Sequence, residues 1–521
     1  MSLNRSPLMD RSFLFSRPVT QTGLPVWCDF TFTTLIGRCL NTPPSSAIMQ
    51  TEDFIYLFLL LLSISIGFVL RNFKDVQKKK WISTTIGFTM LLIVSGVYHV
   101  LHPVILTLVN AVIVLYINKR FCHIVSFVFC FSYLMFIRTS EYFGVAYPPN
   151  LCSTAVMMMV LKMVGLAYEV NMHSLKQASN DESDKQKEYF MRIKPSFFDI
   201  FHYSFCYAGV LVGPYYRYRT FEDLFNKPYS KSVSHNDFLK KRIIVVPLYI
   251  FLYLLSDYFF PLSLAASKEI WDFPFLYRVF YVWPWFFSFR MRIYCAFVLG
   301  ECICISLGLG AYPEKGAAQP GAGPTNLNAM QEIENEPKLL KVIPYNFETI
   351  RGMNEMASEF RPTIREGIRY WNMTVQYWLA IYIYRKTAAS KPIKMFVTMF
   401  VSALWHGVHP GYYLSLLGTP LLLISEIQVE KAFRKNAPEL QQKIYDFIWY
   451  FVKMQSVSYM GVAFILLEIR AILHYWSSIY YIGHIFTLVL FTIAFLKNRF
   501  AKRTFKKDKN LPSELEHSKS L

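Results

Sequence analysis

Residues 395–413 read MFVTMFVSALWHGVHPGYY, so His406 follows an apolar run that contains no charged residue. Pro410 has no N–H to donate to the carbonyl of His406, and Gly407 and Gly411 loosen the same turn. Broken backbone at membrane depth is tolerated only where it is buried in protein or lines a watery cavity. A lone histidine is more often a core residue bonded to a neighbouring helix, but the context Trp-His-x-x-His-Pro-Gly favours an active-site residue.

A second polar side chain, Asn372, lies 34 positions earlier in the run RYWNMTVQYW, residues 369–378. Pro362 suits the first turn of the helix that we predict to carry it. Taken alone, this carboxamide is best interpreted as a polar clamp between helices, and the alternative is a donor to an oxyanion. Residues 372–374 also match the glycosylation pattern, but their position within an apolar helix argues against modification.

The composition indicates a membrane protein. Of the 521 residues 54% are hydrophobic and only 17% are charged, below the roughly 25% of soluble domains. Apolar runs of membrane-spanning length recur from residue 54 to residue 496. We predict an all-α fold, a polytopic transmembrane bundle of about ten to twelve segments, some of them re-entrant. These segments form a single domain over residues 49–496.

The two ends of the chain differ from this domain. Residues 1–48 contain no continuous apolar core, so they are interpreted as an appended, disordered extension. Residues 497–521 begin with seven lysines and arginines between Lys497 and Lys509, which predicts a basic, disordered cytosolic tail. The basic residues 71–80 after the first apolar run also predict a cytosolic loop.

The apolar run 197–213 conflicts with a simple crossing. Five lysines and arginines precede it in residues 171–196, and seven follow it in residues 217–242. Both flanks cannot obey the positive-inside rule, so we predict a re-entrant or kinked segment. The alternative is that the charge bias is weak here.

The formal net charge is +19, with most basic residues in loops and in the tail. In a membrane protein, this charge indicates attraction to anionic lipid head groups rather than to nucleic acid. The nine cysteines include no Cys-x-x-Cys pair, so neither a disulfide framework nor a zinc site is supported.

Further polar candidates lie in apolar surroundings. Arg290, Arg292 and Glu301 fall in the run 276–311, which is too long for a single pass. They predict either an intramembrane ion pair or a site for a phosphate or inositol head group. The cluster Arg217-Tyr218-Arg219 suits phosphate but could equally be an interfacial anchor.

His409 follows His406 by three positions, which would place both on one helix face. Zinc needs more ligands than these, so no metal is predicted, and His409 is interpreted as a supporting or structural residue. The sequence also has no Gly-x-Ser-x-Gly elbow, P-loop or dinucleotide fingerprint, and no nucleophile with a base nearby. These absences favour direct transfer assisted by a histidine base.

The chain resembles the membrane-bound O-acyltransferase family, and within it the lysophosphatidylinositol acyltransferase branch, from about residue 50 onward. The Trp-Asn pair at 371–372 and the Trp-His pair at 405–406 match the family pattern. The runs that point to the branch are SFCYAG (204–209), GPYYRYRT (213–220), FRMRIY (289–294), RYWNMTVQ (369–376) and WHGVHPGYY (405–413).

This resemblance implies transfer of a fatty acyl group, typically arachidonoyl, from acyl-CoA to the sn-2 hydroxyl of lysophosphatidylinositol. It implies a multi-pass protein of the endoplasmic reticulum membrane whose helices enclose a tunnel for both substrates. The catalytic pair would be His406 as general base and Asn372 as donor to the oxyanion or holder of the carbonyl. No cofactor is expected, because acyl-CoA is a co-substrate. The candidate substrate-binding residues are Arg290, Arg292, Glu301, Trp405 and His409.

Two alternatives stay open. The acceptor could be lysophosphatidylcholine, lysophosphatidylserine or a protein, since the motifs do not separate these. A channel or transporter with polar intramembrane residues is disfavoured because no internal repeat is visible. The oligomeric state is not predicted.

Overall fold

The computed structural model describes residues 51–177, 193–336 and 338–509. Regular structure in these ranges is almost entirely helical, which confirms the predicted all-α class. Two short strands, β1 (Tyr312–Pro313) and β2 (Tyr345–Asn346), pair antiparallel.

The helices follow one another along the whole described chain. They are α1 (Thr51–Leu70), α2 (Val76–His99), α3 (Leu101–Tyr116), α4 (Cys122–Arg138), α5 (Asn150–Gln177), α6 (Phe197–Phe205), α7 (Tyr218–Asn226), α8 (Tyr229–Ser232), α9 (His235–Ile243), α10 (Val246–Phe259), α11 (Leu262–Ala266), α12 (Phe275–Leu307), α13 (Leu327–Asn335), α14 (Glu355–Phe360), α15 (Ile364–Arg369), α16 (Met373–Leu379), α17 (Lys391–His406), α18 (Pro410–Phe433), α19 (Glu439–Leu466), α20 (Ile469–Ser478) and α21 (Ile482–Lys509). A π-helical turn, Ala380–Tyr384, continues α16, and 3₁₀ turns occupy Ser140–Phe143, Lys268–Asp272, Glu314–Gly316, Leu339–Lys341 and Glu348–Ile350.

Four described helices are long and apolar enough to cross a membrane: α2, α5, α18 and α21. Helices α1, α3 and α4 contain shorter apolar stretches. The protein is therefore a multi-pass membrane protein. These seven helices are fewer than the predicted ten to twelve segments, and two further predicted runs lie in the long helices α12 and α19, which contain charged residues.

Helix α5 is the centre of the bundle, whereas α21 lies at its edge. In α5 the 18-residue apolar stretch is 100% buried inside the protein, whereas the corresponding stretch of α21 is only 6% buried. Helices α2, α3, α4 and α7 all pack against α5. A helix that is apolar on all sides is stable in such a central position.

Helix α12 packs against helices from both the N-terminal and the C-terminal parts of the chain. It has 33 residues, about 50 Å at 1.5 Å per residue, and packs against α1, α9, α10 and α19. The run 276–311 was predicted to exceed a single pass, and most of it forms this one long helix. Pro284 lies inside the helix, and Gly308, with φ of 86°, ends it in the left-handed conformation that glycine adopts most readily.

The run 197–213 does not cross as one helix. Helix α6 ends at Phe205 after nine residues, about 14 Å, and the buried chain that follows has no regular structure until α7. This division agrees with the predicted kinked or re-entrant segment. Lys80 holds α6 in place through an ion pair with Asp199 at 2.9 Å.

The C-terminal helix is longer than predicted. Helix α21 continues to Lys509, so the described part of the tail expected to be disordered from residue 497 is helical. The proposed extension 1–48 and residues 510–521 lie outside the described residues, as does most of the solvated loop predicted at 171–196.

Candidate active site

His406 is the last residue of α17, where the helix ends at Gly407 with φ of 147°. Its half-buried ring is surrounded by aromatic rings, with centroid distances of 4.8 Å to Trp405, 5.5 Å to Tyr412 and 4.9 Å to Phe464. Within the described residues, neither ring nitrogen of His406 makes a hydrogen bond. Both nitrogens are thus available to a substrate hydroxyl.

The chain breaks between α17 and α18, as the prolines and glycines predicted. Helix α18 begins at Pro410, and the N–H of Gly411 donates to the carbonyl of Leu467 at 3.0 Å. A Cβ at Gly411 would collide with the carbonyl of Ala463, so this close approach requires glycine. His409 precedes α18 and is not on the helix that carries His406, so the prediction of a shared helix face was wrong.

Asn372 lies at a second break rather than inside the single helix that was predicted. Helix α15 ends at Arg369, and Asn372 directly precedes α16 with φ of 42° and ψ of 54°. Asparagine tolerates this left-handed conformation better than most residues do. Its carbonyl accepts from the N–H of Gln376 at 3.0 Å, but its side chain does not cap the helix. The half-buried carboxamide is therefore not used by the local helix.

Two tryptophans place both segments against α5. The indole N–H of Trp405 donates to the carbonyl of Met157 at 2.9 Å, and that of Trp378 donates to Leu161 at 3.0 Å. These carbonyls are one helical turn apart. The chain next to His406 and the helix that follows Asn372 therefore lie side by side on one stretch of α5. The polar atom of Trp405, a predicted substrate-binding residue, serves this attachment.

Helix α12 supports the same arrangement from another direction. Its Tyr294 lies 5.9 Å from Trp371, the neighbour of Asn372, measured between ring centroids. Its Phe289 lies 6.1 Å from Phe464, which packs on His406. The catalytic pair itself stays a prediction, and the fold places its two segments between the same two helices.

Arg290 and Glu301 are ion-paired, but not with each other. Arg290 holds Glu359 through two hydrogen bonds of 2.8 and 3.3 Å, and the Tyr294 hydroxyl donates to the same carboxylate at 2.6 Å. Glu301 instead accepts from Arg242 at 2.7 Å. The predicted alternative of an ion pair between the arginines of α12 and Glu301 was therefore wrong in its partners.

The pair that Arg290 makes also bears on substrate binding. A bidentate guanidinium–carboxylate contact occupies the donors that a lipid phosphate would need. Arg290 is thus better explained as a structural residue that holds the chain before Asn372. Arg292 is buried on the same helix, and its substrate-binding role stays a prediction.

Sequence reasoning did not single out Arg138, which lies beside His406. This buried residue ends α4 and donates to the Tyr147 hydroxyl at 3.1 Å and to the Met157 sulfur at 2.8 Å. A Cβ built on Gly407 would be 3.8 Å from its Nε. A buried guanidinium here favours negative charge that develops on a reacting group. In the sequence, Arg138 has no feature that distinguishes it from the other basic residues that follow apolar runs.

His409 points to a different partner. Its Nδ1 lies 3.3 Å from a carboxylate oxygen of Glu468, which is half-exposed. No cluster of three or more histidine, cysteine, aspartate or glutamate side chains in the described ranges could hold a metal ion. His409 therefore has a structural explanation in the turn that begins α18.

We expect His409→Ala to reduce acyl transfer only several-fold, because an exposed pair of this kind contributes about 0–1 kcal/mol. The measurement is the initial rate per amount of folded protein, with and without a chelator, beside His406→Ala. Equal losses at both positions, or inhibition by the chelator, would contradict the assignment of His406 as the base.

The chain is similar to known proteins over most of its length. Residues 140–469 match the family described as MBOAT, membrane-bound O-acyltransferase family. The chain is 37% identical over 444 residues to a membrane-bound acylglycerophosphatidylinositol O-acyltransferase, MBOAT7, of Bos taurus, covering 84% of this chain and 93% of the relative. The Homo sapiens protein of the same description is 36% identical over 84% and 93% of the two chains, and that of Drosophila melanogaster 35% over 84% and 91%. The two breaks and the helices that support them fall within the matched span, and the chain belongs to the membrane-bound O-acyltransferase family, as a multi-pass O-acyltransferase.

Proposed function

We propose that the protein transfers a fatty acyl group, with arachidonoyl preferred, from acyl-CoA to the sn-2 hydroxyl of lysophosphatidylinositol. The observation that carries the chemistry is His406, whose ring nitrogens make no hydrogen bond within the described residues. Its neighbour Trp405 is attached to α5 one turn from Trp378, in the helix that follows Asn372. The acceptor is supported by relatives described as acylglycerophosphatidylinositol O-acyltransferases. The proposed location is the endoplasmic reticulum membrane, which the resemblance supports.

The reaction needs neither a metal nor a covalent enzyme intermediate. The acceptor oxygen attacks the thioester carbonyl while the imidazole of His406 takes the hydroxyl proton. The carboxamide of Asn372 donates to the oxyanion of the tetrahedral intermediate. The carbon–sulfur bond then breaks, and the CoA thiolate leaves and takes the proton back from the imidazolium. The buried guanidinium of Arg138, beside His406, favours the negative charge that develops on the reacting groups.

A cavity near the C-terminal end of α5 supports a phosphate-bearing donor. It has a volume of about 100 Å³, and its lining includes Arg217, Arg219 and Thr220. The hydroxyl-bearing Thr220 is buried at this cavity. Glu169, at the cavity, follows Met157 by twelve positions in α5, about 18 Å along the helix. The cavity is therefore far along α5 from Met157, which Trp405 contacts. This separation suits a long acyl donor with phosphates at one end.

Both arginines of this cavity face a carboxylate, so their positive charges are balanced. Arg217 lies 3.4 Å from Glu169, and Arg219 pairs with Asp223 at 3.1 Å. Both arginines approach these carboxylates through Nε alone, unlike the bidentate contact of Arg290, so their terminal nitrogens keep N–H donors for an anionic ligand. The cavity borders α7, which packs against α2 near its predicted cytosolic end.

The assay that tests the proposed function uses purified protein with labelled arachidonoyl-CoA. It compares lysophosphatidylinositol with the choline and serine lysolipids, and arachidonoyl-CoA with saturated acyl-CoA. We expect the highest kcat/KM for arachidonoyl-CoA with lysophosphatidylinositol. Faster transfer to another head group would overturn the acceptor, and solute flux through vesicles without acyl transfer would favour a channel or transporter.

We expect Arg219→Gln to raise the KM for acyl-CoA about tenfold, because a charge-assisted hydrogen bond contributes roughly 1.5–3 kcal/mol. The KM for lysophosphatidylinositol should change little. Lys227→Gln is the matched control, since Lys227 also pairs with a carboxylate, Glu334, but does not line the cavity. A selective rise in the lysolipid KM would instead assign the cavity to the phosphate of the acceptor.

A further inference from the structure

One backbone residue connects a buried carboxylate to the catalytic segment. The N–H of Gly352 donates to Oε1 of Glu301 at 2.8 Å, and the carbonyl of Gly352 accepts from the N–H of Met373 at 2.7 Å. Met373 follows Asn372 directly in the chain. Glu301 is only 2% exposed, so this connection lies inside the protein. Two short hydrogen bonds thus separate the Glu301 carboxylate from the backbone next to Asn372.

The second oxygen of Glu301 is also engaged. Arg242 of α9 donates to Oε2 of Glu301 at 2.7 Å and to Glu355 at 2.7 and 3.3 Å. Its guanidinium therefore lies between two carboxylates. This position fixes the Glu301 side chain on α12 in one orientation, with Oε1 directed toward Gly352.

The conformation of Asn372 makes such support necessary. The residue has the left-handed φ of 42°, and its side chain makes no capping hydrogen bond. Its orientation is therefore imposed by the flanking backbone. On one side the carbonyl of Tyr370 accepts from Asn354 at 3.1 Å, and on the other Met373 donates to Gly352. Both contacts lead to residues 352–354, which Glu301 connects to α12.

We propose that Glu301 is a positioning residue, which sets the orientation of Asn372 through the peptide of Gly352. The inference rests on the proposed function, in which the carboxamide of Asn372 stabilises the oxyanion. Glu301 does not contact substrate in this arrangement, which replaces its predicted role in substrate binding. A displacement of about 1 Å in a catalytic group lowers a rate by up to roughly 10²-fold. Loss of this connection should therefore reduce kcat rather than raise either KM.

The test compares Glu301→Gln with Glu355→Gln. Both substitutions remove one negative charge from Arg242, and each leaves the arginine paired with the other carboxylate. Only Glu301→Gln also leaves a single accepting oxygen for two donors, the Gly352 N–H and the Arg242 guanidinium, because the amide nitrogen cannot accept. We expect kcat per folded protein to fall about 10²-fold in E301Q, with both KM values nearly unchanged. We expect E355Q to keep the parent kcat.

A double-mutant cycle identifies the residue through which Glu301 acts. We expect E301Q to have no further effect on kcat once Asn372 is replaced by glycine. Additive losses, equal losses in E301Q and E355Q, or a folded E301Q with parent kcat would each overturn the inference. Full activity of N372G alone would instead overturn the role of Asn372 in the proposed function.

Folding is measured by size-exclusion chromatography and thermal unfolding of each variant. If E301Q does not accumulate, Glu301→Asp serves in its place, because a shorter carboxylate keeps the charge but cannot reach both Arg242 and Gly352. A reduced kcat in folded E301D would support the inference, and the parent kcat would overturn it.

Discussion

Replacing His406 with alanine should lower acyl transfer by about 10²–10⁴-fold, the range for removing a general base. A lipid hydroxyl is a poor nucleophile at neutral pH, and His406 provides the imidazole at the break between α17 and α18. The amount of folded protein should stay near normal, because the ring makes no hydrogen bond to the described residues and packs against aromatic rings. The measurement is the initial rate per amount of folded protein.

His484→Ala is the matched control for this substitution. His484 lies on α21, where its Nδ1 is 2.6 Å from the Tyr459 hydroxyl and its ring packs against Trp476. We expect this variant to lose stability and to keep its activity per folded molecule. If His406→Ala instead failed to fold, or folded and kept its rate, the histidine would be structural and the proposed base would be wrong.

The break at His406 was predictable because its causes are local. Pro410 cannot continue the hydrogen bonding of α17, and Gly407 and Gly411 permit a turn and a close approach that other residues do not. These effects depend on residue type and spacing alone. The sequence therefore predicted a break here, although the helix ends at His406 and not at His409, as the predicted shared face required.

The break at Asn372 was not predictable, because residues 369–378 contain neither proline nor glycine. The left-handed Asn372 is stabilised by contacts with residues 352–354, which are distant in the sequence. A helix across this stretch was the reasonable local prediction, and the tertiary hydrogen bonds override it.

The partners of the buried charges could not be predicted from the sequence either. The composition of α12 predicted that charges in an apolar run need partners, and the structure provides them. Arg290 pairs with Glu359, 69 positions away, and Glu301 with Arg242, 59 positions away. Sequence spacing carries no signal for such contacts without a known fold. Arg290 and Arg292 lie only eleven and nine positions before Glu301 in the sequence, and that proximity suggested the wrong partners for Arg290 and Glu301.

Several buried charged side chains share one role, which is to hold the chain that precedes Asn372. Arg290 holds Glu359, Lys453 donates to the carbonyls of Ser358 and Glu359, and Glu426 accepts from two N–H groups at the start of α15. All of these contacts fall on the chain before Asn372. A buried charge left without its partner destabilises a protein strongly, so this segment is held firmly against α12, α18 and α19.

Replacing Asn372 with glycine should lower kcat by about 10²–10³-fold, the loss expected for one oxyanion donor. Glycine adopts the φ of 42° without strain, so this variant removes the carboxamide and keeps the backbone conformation. Alanine would combine both effects and could not separate them. The KM values for the two substrates should change little, because the oxyanion exists only in the transition state and the intermediate.

Asn372→Asp is the sharper companion to the glycine variant. Aspartate also tolerates the left-handed conformation and has nearly the same shape, but an ionised carboxylate accepts hydrogen bonds and cannot donate them. Its charge would repel the oxyanion, so kcat should fall at least as far as in N372G. If N372G kept the parent rate, Asn372 would serve only to shape the backbone. A lower rate in N372G with the parent rate in N372D would exclude hydrogen-bond donation and leave the side chain a role in packing alone.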